Sequence, residues 1–183
     1  MSFSKILGHE KTINSLKAII SSNRIPPAII FYGPQGIGKF LTAKEFAKVL
    51  NCCKNNMNSE SGNLFKSEPI NVKPSALSLT LIDSCDECQA CTQIEKNIHP
   101  DIRIIDSAFQ GFLLDEDIQK QTRLKIDTVR EFTRYIYTRP ISARWKVFII
   151  NDADTLTVES QNAMLKVLEE PPQDSVLILI ASK

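Results

Sequence analysis

Residues 28–46 read AIIFYGPQGIGKFLTAKEF. The first five residues form the short, continuous apolar run that is typical of a buried strand, and residues 39–50 carry apolar side chains at helical spacing. Between the two lies a loop with three glycines and a lysine. A strand, a glycine-rich loop and a helix in this order are the context of a phosphate-binding loop. The stretch therefore predicts an α/β fold built around such a loop.

The loop has eight positions of interest: Gly33, Pro34, Gln35, Gly36, Ile37, Gly38, Lys39 and Phe40. Glycines let backbone N–H groups face phosphate oxygens, and Lys39 would reach the terminal phosphates. The eighth position normally carries a Ser or Thr hydroxyl that binds Mg²⁺, and Phe40 has no oxygen to offer. Thr42 lies about 200° further round the helix and cannot substitute. The loop predicts weak ATP or ADP binding without a proper metal, and the alternative is a glycine turn that only joins a strand to a helix.

A second element of nucleotide-hydrolysing proteins is an apolar strand that ends in Asp and then Glu. The first carboxylate holds Mg²⁺ through water, and the second activates the attacking water. In this chain the strand VFII, residues 147–150, ends in Asn151 and Asp152. An amide lacks the charge, and Asp152 is one methylene shorter than Glu. The two departures predict a degenerate nucleotide site without a catalytic residue, and the alternative is an ordinary strand followed by an Asn-Asp turn.

The cysteines form the third pattern, and the five of them are Cys52, Cys53, Cys85, Cys88 and Cys91. The last three have C-x-x-C-x-x-C spacing, and one of the first two supplies a fourth thiolate, which is the ligand set of a closed, structural zinc site. A bacterial-type iron–sulfur cluster would need a cysteine at position 95, where Glu95 stands. Free thiols or a redox pair are the alternatives to zinc.

Outside these motifs, helices and apolar strands alternate. Helical spacing predicts helices over residues 8–20, 126–136 and 157–170, and apolar runs predict strands over residues 101–106, 146–150 and 175–181. Residues 53–84 are polar and without a clear period, which predicts a partly disordered insertion, and residues 109–123 form a second polar stretch. Alternation of this kind is typical of an open parallel sheet covered on both faces, which is the α/β class.

Composition excludes several classes of protein. The chain has 183 residues, with 22 Lys and Arg against 21 Asp and Glu, for a formal charge of +1. One well-filled core is expected from this length, and the balanced charge argues against a stand-alone nucleic-acid or membrane-surface module. No apolar run approaches the roughly 20 residues of a membrane span. The first residues do not resemble a secretory signal, so a cytoplasmic location is expected. For His9 and His99 we predict surface or capping roles.

Three segments carry a resemblance to a known family. The run ILGHEKTINSLKAIISSNRIPPAIIFYGPQGIGK, residues 6–39, resembles the opening of the AAA+ domains of bacterial clamp loaders. Residues 50–52, LNC, with residues 84–106, SCDECQACTQIEKNIHPDIRIID, resemble the zinc module of that family, and residues 160–172, SQNAMLKVLEEPP, are similar to its most specific stretch. The resemblance covers nearly the whole chain apart from residues 53–84 and 109–123.

The resemblance implies a P-loop NTPase fold of the AAA+ type, a parallel sheet flanked by helices, over residues 1–183. It also implies an inserted zinc-binding module over residues 51–100, with residues 53–84 flexible. The implied zinc ligands are Cys52, Cys85, Cys88 and Cys91. The family's arginine-finger motif and helical lid would lie beyond the last residue of this sequence.

The resemblance further implies a subunit of the DNA polymerase III clamp loader, a five-subunit ring that opens the sliding clamp and places it on primed DNA. The motor subunits of that family keep Thr after the loop lysine and Asp-Glu at the strand end, whereas this chain has Phe40 and Asn151. A non-hydrolysing stator is therefore expected, with delta and gamma/tau subunits as partners and no polymerase or ATPase activity of its own. The alternatives are an active gamma/tau-like ATPase motor and a zinc-containing nucleic-acid-binding module.

Overall fold

The structure is a computed structural model that describes residues 3–55, 82–115, 117 and 123–182. In chain order its helices and strands are α1 (Glu10–Ser21), β1 (Ala28–Tyr32), α2 (Lys39–Asn51), α3 (Gln89–Glu95), β2 (Ile102–Ile105), α4 (Ser107–Leu114), α5 (Ile126–Ile136), β3 (Lys146–Ile150), α6 (Val158–Glu169) and β4 (Ser175–Ala181). Short 3₁₀ turns at Phe3–Lys5 and Ala153–Thr155 precede α1 and follow β3. Among the described helices, none is long and apolar enough to cross a lipid bilayer.

The four strands form one parallel sheet in the order β1-β4-β3-β2. Tyr32 at the end of β1 pairs with Ala181 at the end of β4. Ile150 at the end of β3 pairs with Leu179 of β4 and with Ile105 at the end of β2. The carboxyl ends of the four strands therefore lie at the same edge of the sheet. The predicted α/β class with a parallel sheet flanked by helices is confirmed.

Helices cover both faces of the sheet, because the side chains of β3 alternate between two hydrophobic layers. Val147 and Ile149 pack with residues of α1 and α2, and Phe148 and Ile150 pack with residues of α5 and α6. All four side chains are completely buried. A strand covered on both sides has no solvent face, which is why it appears in the sequence as a continuous apolar run rather than an alternating one.

The predicted element boundaries agree closely with the structure for most of the chain. Strands β1, β3 and β4 have the predicted limits, and β2 lies inside the predicted range. Helix α6 begins after Thr157, whose side chain accepts a hydrogen bond from the backbone N–H of Ser160, and Pro171 follows shortly after its end. A capping residue therefore marks the start of α6, and prolines, which cannot continue a helix, mark its end.

The prediction of a polar stretch over residues 109–123 is wrong for its first part, which belongs to α4. The helix begins after Asp106, whose carboxylate accepts a hydrogen bond of 2.9 Å from the N–H of Phe109. The side chain of Gln110 is completely buried and accepts hydrogen bonds from the Lys125 N–H and the Thr128 hydroxyl. Helix α3 was not anticipated by the sequence pattern. Residues 56–81 of the predicted insertion, and residues 116 and 118–122, lie outside the described residues.

A buried carboxylate at the start of β2 fixes the loop that leads into β3. Asp101 is completely buried. One of its oxygens accepts a hydrogen bond of 2.8 Å from the N–H of Ile141, and the other accepts bonds of 2.8 Å from the N–H groups of Ser142 and Ala143. For His99 the surface part of the prediction is wrong, because this side chain is buried; its Nδ1 accepts a local bond of 3.1 Å from the Asp101 N–H, which is a capping type of contact. The contacts of Asp101 with residues 141–143 connect two loops that are distant in the sequence.

Candidate functional site

The parallel register brings three segments together at the carboxyl edge of the sheet. Gly33 follows β1, Asn151 follows β3 and Ser182 follows β4. The N–H of Gly33 donates to the carbonyl of Ala181, and the N–H of Asn151 donates to the carbonyl of Ile105. The glycine-rich loop and the end of β3 therefore occupy the same edge of one sheet, as the sequence predicts for a nucleotide site.

All three glycines of the loop have positive φ values, and Gly36 and Gly38 lie in the left-handed region that other residues rarely adopt. Gly36 has a φ of 80° and Gly38 has a φ of 91°, and Gly38 is the residue immediately before the first turn of α2. A side chain at either position would be strained in the left-handed region. The sequence spacing of these glycines therefore corresponds to a specific loop shape that turns directly into the N-terminus of a helix.

Lys39 directs its ammonium group back into the loop. Its Nζ donates hydrogen bonds to the carbonyl oxygens of Gly33 at 2.5 Å and Pro34 at 2.7 Å, and to the hydroxyl of Ser182 at 3.0 Å. The lysine thus bridges the start of the loop and the end of β4. A cation in this position can interact with an anionic group held by the loop, provided that its present partners are exchanged.

Phe40 is half-buried and packs against the hydrophobic layer of α1 and α2. It also lines a cleft of about 530 Å³ together with His99, Ile102 and Asp106. Thr42 does not replace the missing hydroxyl, because its Oγ1 donates a hydrogen bond of 2.9 Å to the carbonyl of Gly38 within α2. The position that normally supplies an oxygen ligand for Mg²⁺ is therefore occupied by an apolar ring.

A second cleft, of about 310 Å³, is lined in part by His9, Thr12, Tyr32 and Lys39. The Nε2 of His9 lies 2.8 Å from the carbonyl oxygen of Ile37. A surface or capping role is predicted for this histidine, and the structure adds a direct contact with the glycine-rich loop. The position of His9 just before α1 offered no signal, because the contact spans 28 residues along the chain.

At the end of β3, Asp152 adopts a left-handed conformation with a φ of 56° and is exposed. Its carbonyl accepts hydrogen bonds from both the N–H and the hydroxyl of Thr155. The carboxylate of Asp154 accepts a bond of 2.6 Å from the N–H of Ser182. The tight turn after Asn151 is therefore connected to the same strand end that Lys39 contacts.

Four of the five cysteines meet at one place. The sulfur atoms of Cys52, Cys53, Cys85 and Cys88 lie within 4.8 Å of one another, and those of Cys52 and Cys85 are 3.5 Å apart. Cys91 lies in α3 and is fully buried, but its sulfur is not part of this set. The structure thus brings together three of the four predicted ligands, Cys52, Cys85 and Cys88, with Cys53, which is the alternative to Cys52 as the first ligand.

Backbone N–H groups point at these sulfurs. The N–H of Cys85 donates to the sulfur of Cys52, and the N–H of Cys88 donates to the sulfur of Cys85, each at 3.3 Å. Burial disfavours the Cys88 thiolate, but the backbone N–H groups of Cys53 and Cys91 outweigh it and lower the pKa of Cys88 below its ordinary value. Such bonds stabilise the thiolate form, which is the form that binds a metal. The donor set and its surroundings therefore fit a soft divalent cation with four sulfur ligands.

The acidity of the thiols differs with their surroundings. Burial disfavours the Cys85 thiolate, but N–H donation from Cys88 and Glu87 outweighs it and lowers the pKa of Cys85 to about 6. Burial raises the pKa of the Cys91 thiol well above its usual range. The contact with the Cys88 thiol raises the pKa of Cys53 to about 11. Because the sulfurs share one small volume, only some of them ionise easily until a cation compensates their charge.

A buried lysine of α2 forms ion pairs with acidic residues of the segment 85–95, which contains the last three cysteines. The ammonium group of Lys48 lies 3.2 Å from the carboxylate of Glu45 and 3.5 Å from that of Asp86, and it also pairs with Glu95. The side chains of Lys48 and Glu45 are each only 1% exposed. Asp86 in turn pairs with Lys5 at 3.3 Å. Since α2 begins at the glycine-rich loop, one helix carries both the loop lysine and the anchor of the cysteine cluster.

Comparison with known proteins gives a consistent relationship along the chain. The model of the family described as "DNA polymerase III, delta subunit" matches residues 8–71 and 74–183. The chain is 31% identical over 177 residues to DNA polymerase III subunit gamma of Buchnera aphidicola subsp. Acyrthosiphon pisum, a match that covers 97% of this chain and 39% of that protein. It is 30% identical over 171 residues to DNA polymerase III subunit tau/gamma of Haemophilus influenzae, which covers 93% of this chain and 20% of that protein.

This chain therefore spans less than half the length of these curated relatives. Among solved structures, it is similar to a DNA polymerase III, gamma subunit-related protein of Thermotoga maritima, with a TM-score of 0.48 and 16% sequence identity. That match covers 93% of this chain and 39% of the other.

Proposed function

The chain belongs to the family described as DNA polymerase III, delta subunit, and we propose that it is the nucleotide-binding-type domain of a clamp-loader subunit. Its work is to help open the sliding clamp and place it on primed DNA, in a complex with delta and gamma/tau subunits. Contact with DNA is made through that complex, in keeping with the formal charge of +1, which is too small for a stand-alone DNA-binding module.

Within the clamp loader we assign the chain to the delta prime type, a stator that does not hydrolyse ATP. The observation that carries this proposal is the apolar ring of Phe40 directly after Lys39, packed against the hydrophobic layer of α1 and α2. Asn151 stands at the end of β3, where a motor needs a carboxylate. Both changes remove groups that hold Mg²⁺. Without Mg²⁺, no metal stabilises the charge that develops on the γ-phosphate in the transition state of ATP hydrolysis.

The glycine-rich loop can still hold a nucleotide by its backbone. Gly36 and Gly38 have the positive φ values that turn N–H groups toward an anion, and Lys39 needs only to exchange its carbonyl partners for phosphate oxygens. We therefore propose weak binding of ATP or ADP that does not depend on Mg²⁺.

For the cysteine cluster we propose a structural zinc site within a module over residues 51–100. Cys52 stands at the C-terminal end of α2, and Cys91 lies within α3. A metal held by these residues with Cys85 and Cys88 joins the two helices through ligands that are far apart in the sequence. Four thiolates leave no open position for catalysis, so the metal contributes stability and shape.

A second candidate is an ATPase motor of the gamma/tau type. It is favoured by the names of the relatives, which are 30–31% identical to this chain and are called gamma and tau/gamma subunits. A motor would require a Mg²⁺ ligand that replaces the missing hydroxyl and carboxylate. The two candidates differ in one measurable property, which is the effect of Mg²⁺ on nucleotide affinity and turnover.

The experiment is calorimetric titration of ATP and ADP, with and without Mg²⁺, into the zinc-loaded protein, with phosphate release measured in parallel. The stator proposal expects no turnover and an affinity that Mg²⁺ leaves unchanged. Mg²⁺-dependent binding with turnover by the wild-type chain would refute the stator proposal and support the motor.

Two variants identify the cause. Phe40→Thr combined with Asn151→Asp restores both metal-holding groups, and we expect a gain of Mg²⁺-dependent affinity of at least tenfold, or about 1.4 kcal/mol. Phe40→Leu combined with Asn151→Ala is the matched control, because it makes changes at the same positions without supplying an oxygen ligand. A similar gain in the control would show that relief of crowding, rather than metal binding, is responsible.

A further inference from the structure

Strand β2 lies at an edge of the sheet, and only one of its two sides is paired. Its neighbour is β3, and no other described strand lies on the opposite side. The carbonyls of Asp101 and Ile105 accept hydrogen bonds from backbone N–H groups of β3 and of the residue that follows it. Because the backbone groups of successive strand residues point to alternate sides, those of Ile102, Ile104 and Asp106 point away from β3.

Two of the outward backbone groups already have partners within the chain. The N–H of Ile102 donates to the carbonyl of His99 at 3.3 Å, and the carbonyl of Asp106 accepts from the N–H of Gln110 at 3.0 Å. No described residue bonds to the carbonyl of Ile102, to the N–H of Asp106 or to either backbone group of Ile104. The free edge thus offers two donors and two acceptors.

These four free groups are complementary to themselves. In an antiparallel pair, opposite residues at every second position exchange two hydrogen bonds. If Ile104 lies opposite the same residue of a second copy, these two residues exchange both bonds. The free carbonyl of Ile102 then faces the free N–H of Asp106 of the other copy. The occupied N–H of Ile102 and the occupied carbonyl of Asp106 also lie opposite each other, so this register leaves no backbone group without a partner.

A cleft of about 530 Å³ runs along this edge. Its lining includes Phe40 and Ile104, which pack with the hydrophobic layer of α1 and α2, and Phe109, which packs with the layer of α5 and α6. A cleft that touches both layers lies beside the free edge of the sheet. Charged residues often protect an edge strand from pairing. The guanidinium group of Arg103, however, lies over the ring of Tyr135 of α5, 4.6 Å from its centroid, and does not cover the outward backbone groups.

Large apolar side chains are exposed near both ends of β2. Ile98 precedes the strand and is 66% exposed, and Phe112 lies in α4 after the strand and is 88% exposed. Antiparallel pairing brings the start of one β2 beside the end of the other. A second copy in this register therefore brings the segment of Ile98 toward α4 of the other copy, where apolar surface is available to it.

We propose that two copies of this chain associate through β2, in the antiparallel register centred on Ile104, so that one sheet continues across both copies. The interface is isologous, because each copy contributes the same surface. It also covers an edge that is otherwise open to pairing with other chains. The glycine-rich loop and the cysteine cluster take no part in it, so this inference is independent of the proposed function.

The test is sedimentation velocity of the zinc-loaded chain from micromolar to millimolar concentration. Ile104→Pro removes the N–H at the centre of the interface, and proline is tolerated in an edge strand where its nitrogen faces away from the sheet. Ile104→Val keeps the N–H and is the matched control. A second pair of variants is Ile98→Lys and, as its control, Ile141→Lys, because Ile141 is 71% exposed. Circular dichroism of each variant shows whether the fold is intact.

We expect a monomer–dimer equilibrium that Ile104→Pro weakens by at least ~30-fold, through the loss of two hydrogen bonds, and that Ile104→Val changes by less than ~3-fold. Ile98→Lys should weaken the dimer because it places a charge in an apolar contact, whereas Ile141→Lys should not. The backbone N–H of Ile104 should exchange with solvent more slowly as the protein concentration rises, which tests the pairing without any substitution.

A chain that stays monomeric at every concentration overturns the proposal. So does a dimer that a folded Ile104→Pro variant still forms, since such a dimer pairs elsewhere, for example through the other edge strand, β1. If Ile104→Pro does not fold, equal dimerisation of Ile98→Lys and Ile141→Lys, or exchange of the Ile104 N–H that does not depend on concentration, refutes the interface.

Discussion

Replacing Asp101 with asparagine tests whether a buried carboxylate organises the approach to the central strand β3. The carboxylate is completely buried and accepts three backbone hydrogen bonds of 2.8 Å, from Ile141, Ser142 and Ala143. Asparagine has nearly the same shape, so the substitution leaves no cavity. It removes the charge and replaces one acceptor oxygen with an NH₂ group that faces a backbone N–H donor.

The size of the effect follows from these contacts. A hydrogen bond to a charged group contributes about 1.5–3 kcal/mol, and a neutral one about 1 kcal/mol. In Asp101→Asn two of the three bonds become neutral. The third backbone N–H then faces the NH₂ group of the asparagine, and leaving this buried N–H without an acceptor costs about 1–3 kcal/mol. The sum is a loss of about 2–7 kcal/mol from the free energy of unfolding, a large part of the 5–15 kcal/mol of an ordinary domain.

The same carboxylate predicts a pH dependence. Burial favours the neutral acid, but the three N–H bonds outweigh it and lower the pKa of Asp101 below its ordinary value. A group whose pKa is lower in the folded state contributes its stability above its unfolded pKa of about 3.9 and loses it as the pH falls through the folded value. The difference between the wild type and Asp101→Asn should therefore be full at pH 7 and shrink below pH ~4.

The assay is urea unfolding of both proteins, followed by circular dichroism at several pH values. Asp106→Asn is the matched control, because Asp106 accepts a single hydrogen bond from the N–H of Phe109 at a helix start. Its expected cost is about 1 kcal/mol or less. If Asp101→Asn costs no more than this control at pH 7, the carboxylate does not hold the loop in the way that its contacts indicate.

Three other predictions concern α2 and the cysteine cluster. Lys48→Met leaves the buried carboxylate of Glu45 without its close cation and should cost about 3 kcal/mol in urea unfolding. The control Lys44→Met, whose partner Glu95 is half-exposed, should cost under about 1 kcal/mol. Equal losses would contradict the view that the buried pair of Lys48 and Glu45 stabilises the fold. Gly38→Ala introduces a side chain at a φ of 91° and should lower stability by about 1 kcal/mol, and an unchanged unfolding midpoint would show that the loop shape adapts easily. Removal of zinc with a chelator should lower the thermal unfolding midpoint. Zinc at 100 times its dissociation constant adds about 2.7 kcal/mol to the free energy of unfolding. An unchanged midpoint would argue against a structural metal.

Much of the fold was predictable from the sequence because the signals involved are local. The strands β1, β3 and β4 are continuous apolar runs, since both faces of the sheet are covered. Prolines and capping residues mark the ends of several helices. Helix α4 was not predicted because it is only eight residues long and is followed by polar residues, so its helical spacing is weak. Asp106, the capping residue before it, was the one local signal of its start.

The candidate sites were predictable in part for the same reason. The loop lysine, the apolar Phe40 and the amide of Asn151 could all be recognised from motif positions. The contact of His9 with the loop carbonyl of Ile37, and the ion pairs of the buried Lys48, could not, because each depends on elements that meet only after folding.

The sequence alone determined residue chemistry and local backbone preference: a glycine-rich loop with a lysine and no hydroxyl after it, the apolar strands of a parallel sheet, and cysteines at the spacing of metal ligands. Tertiary structure decided the strand order, the convergence of Gly33, Asn151 and Ser182 at one sheet edge, and the meeting of four sulfurs. The physical reason is that helix and strand periods arise from neighbouring residues, whereas strand pairing and ligand convergence depend on long-range packing, which no local pattern records.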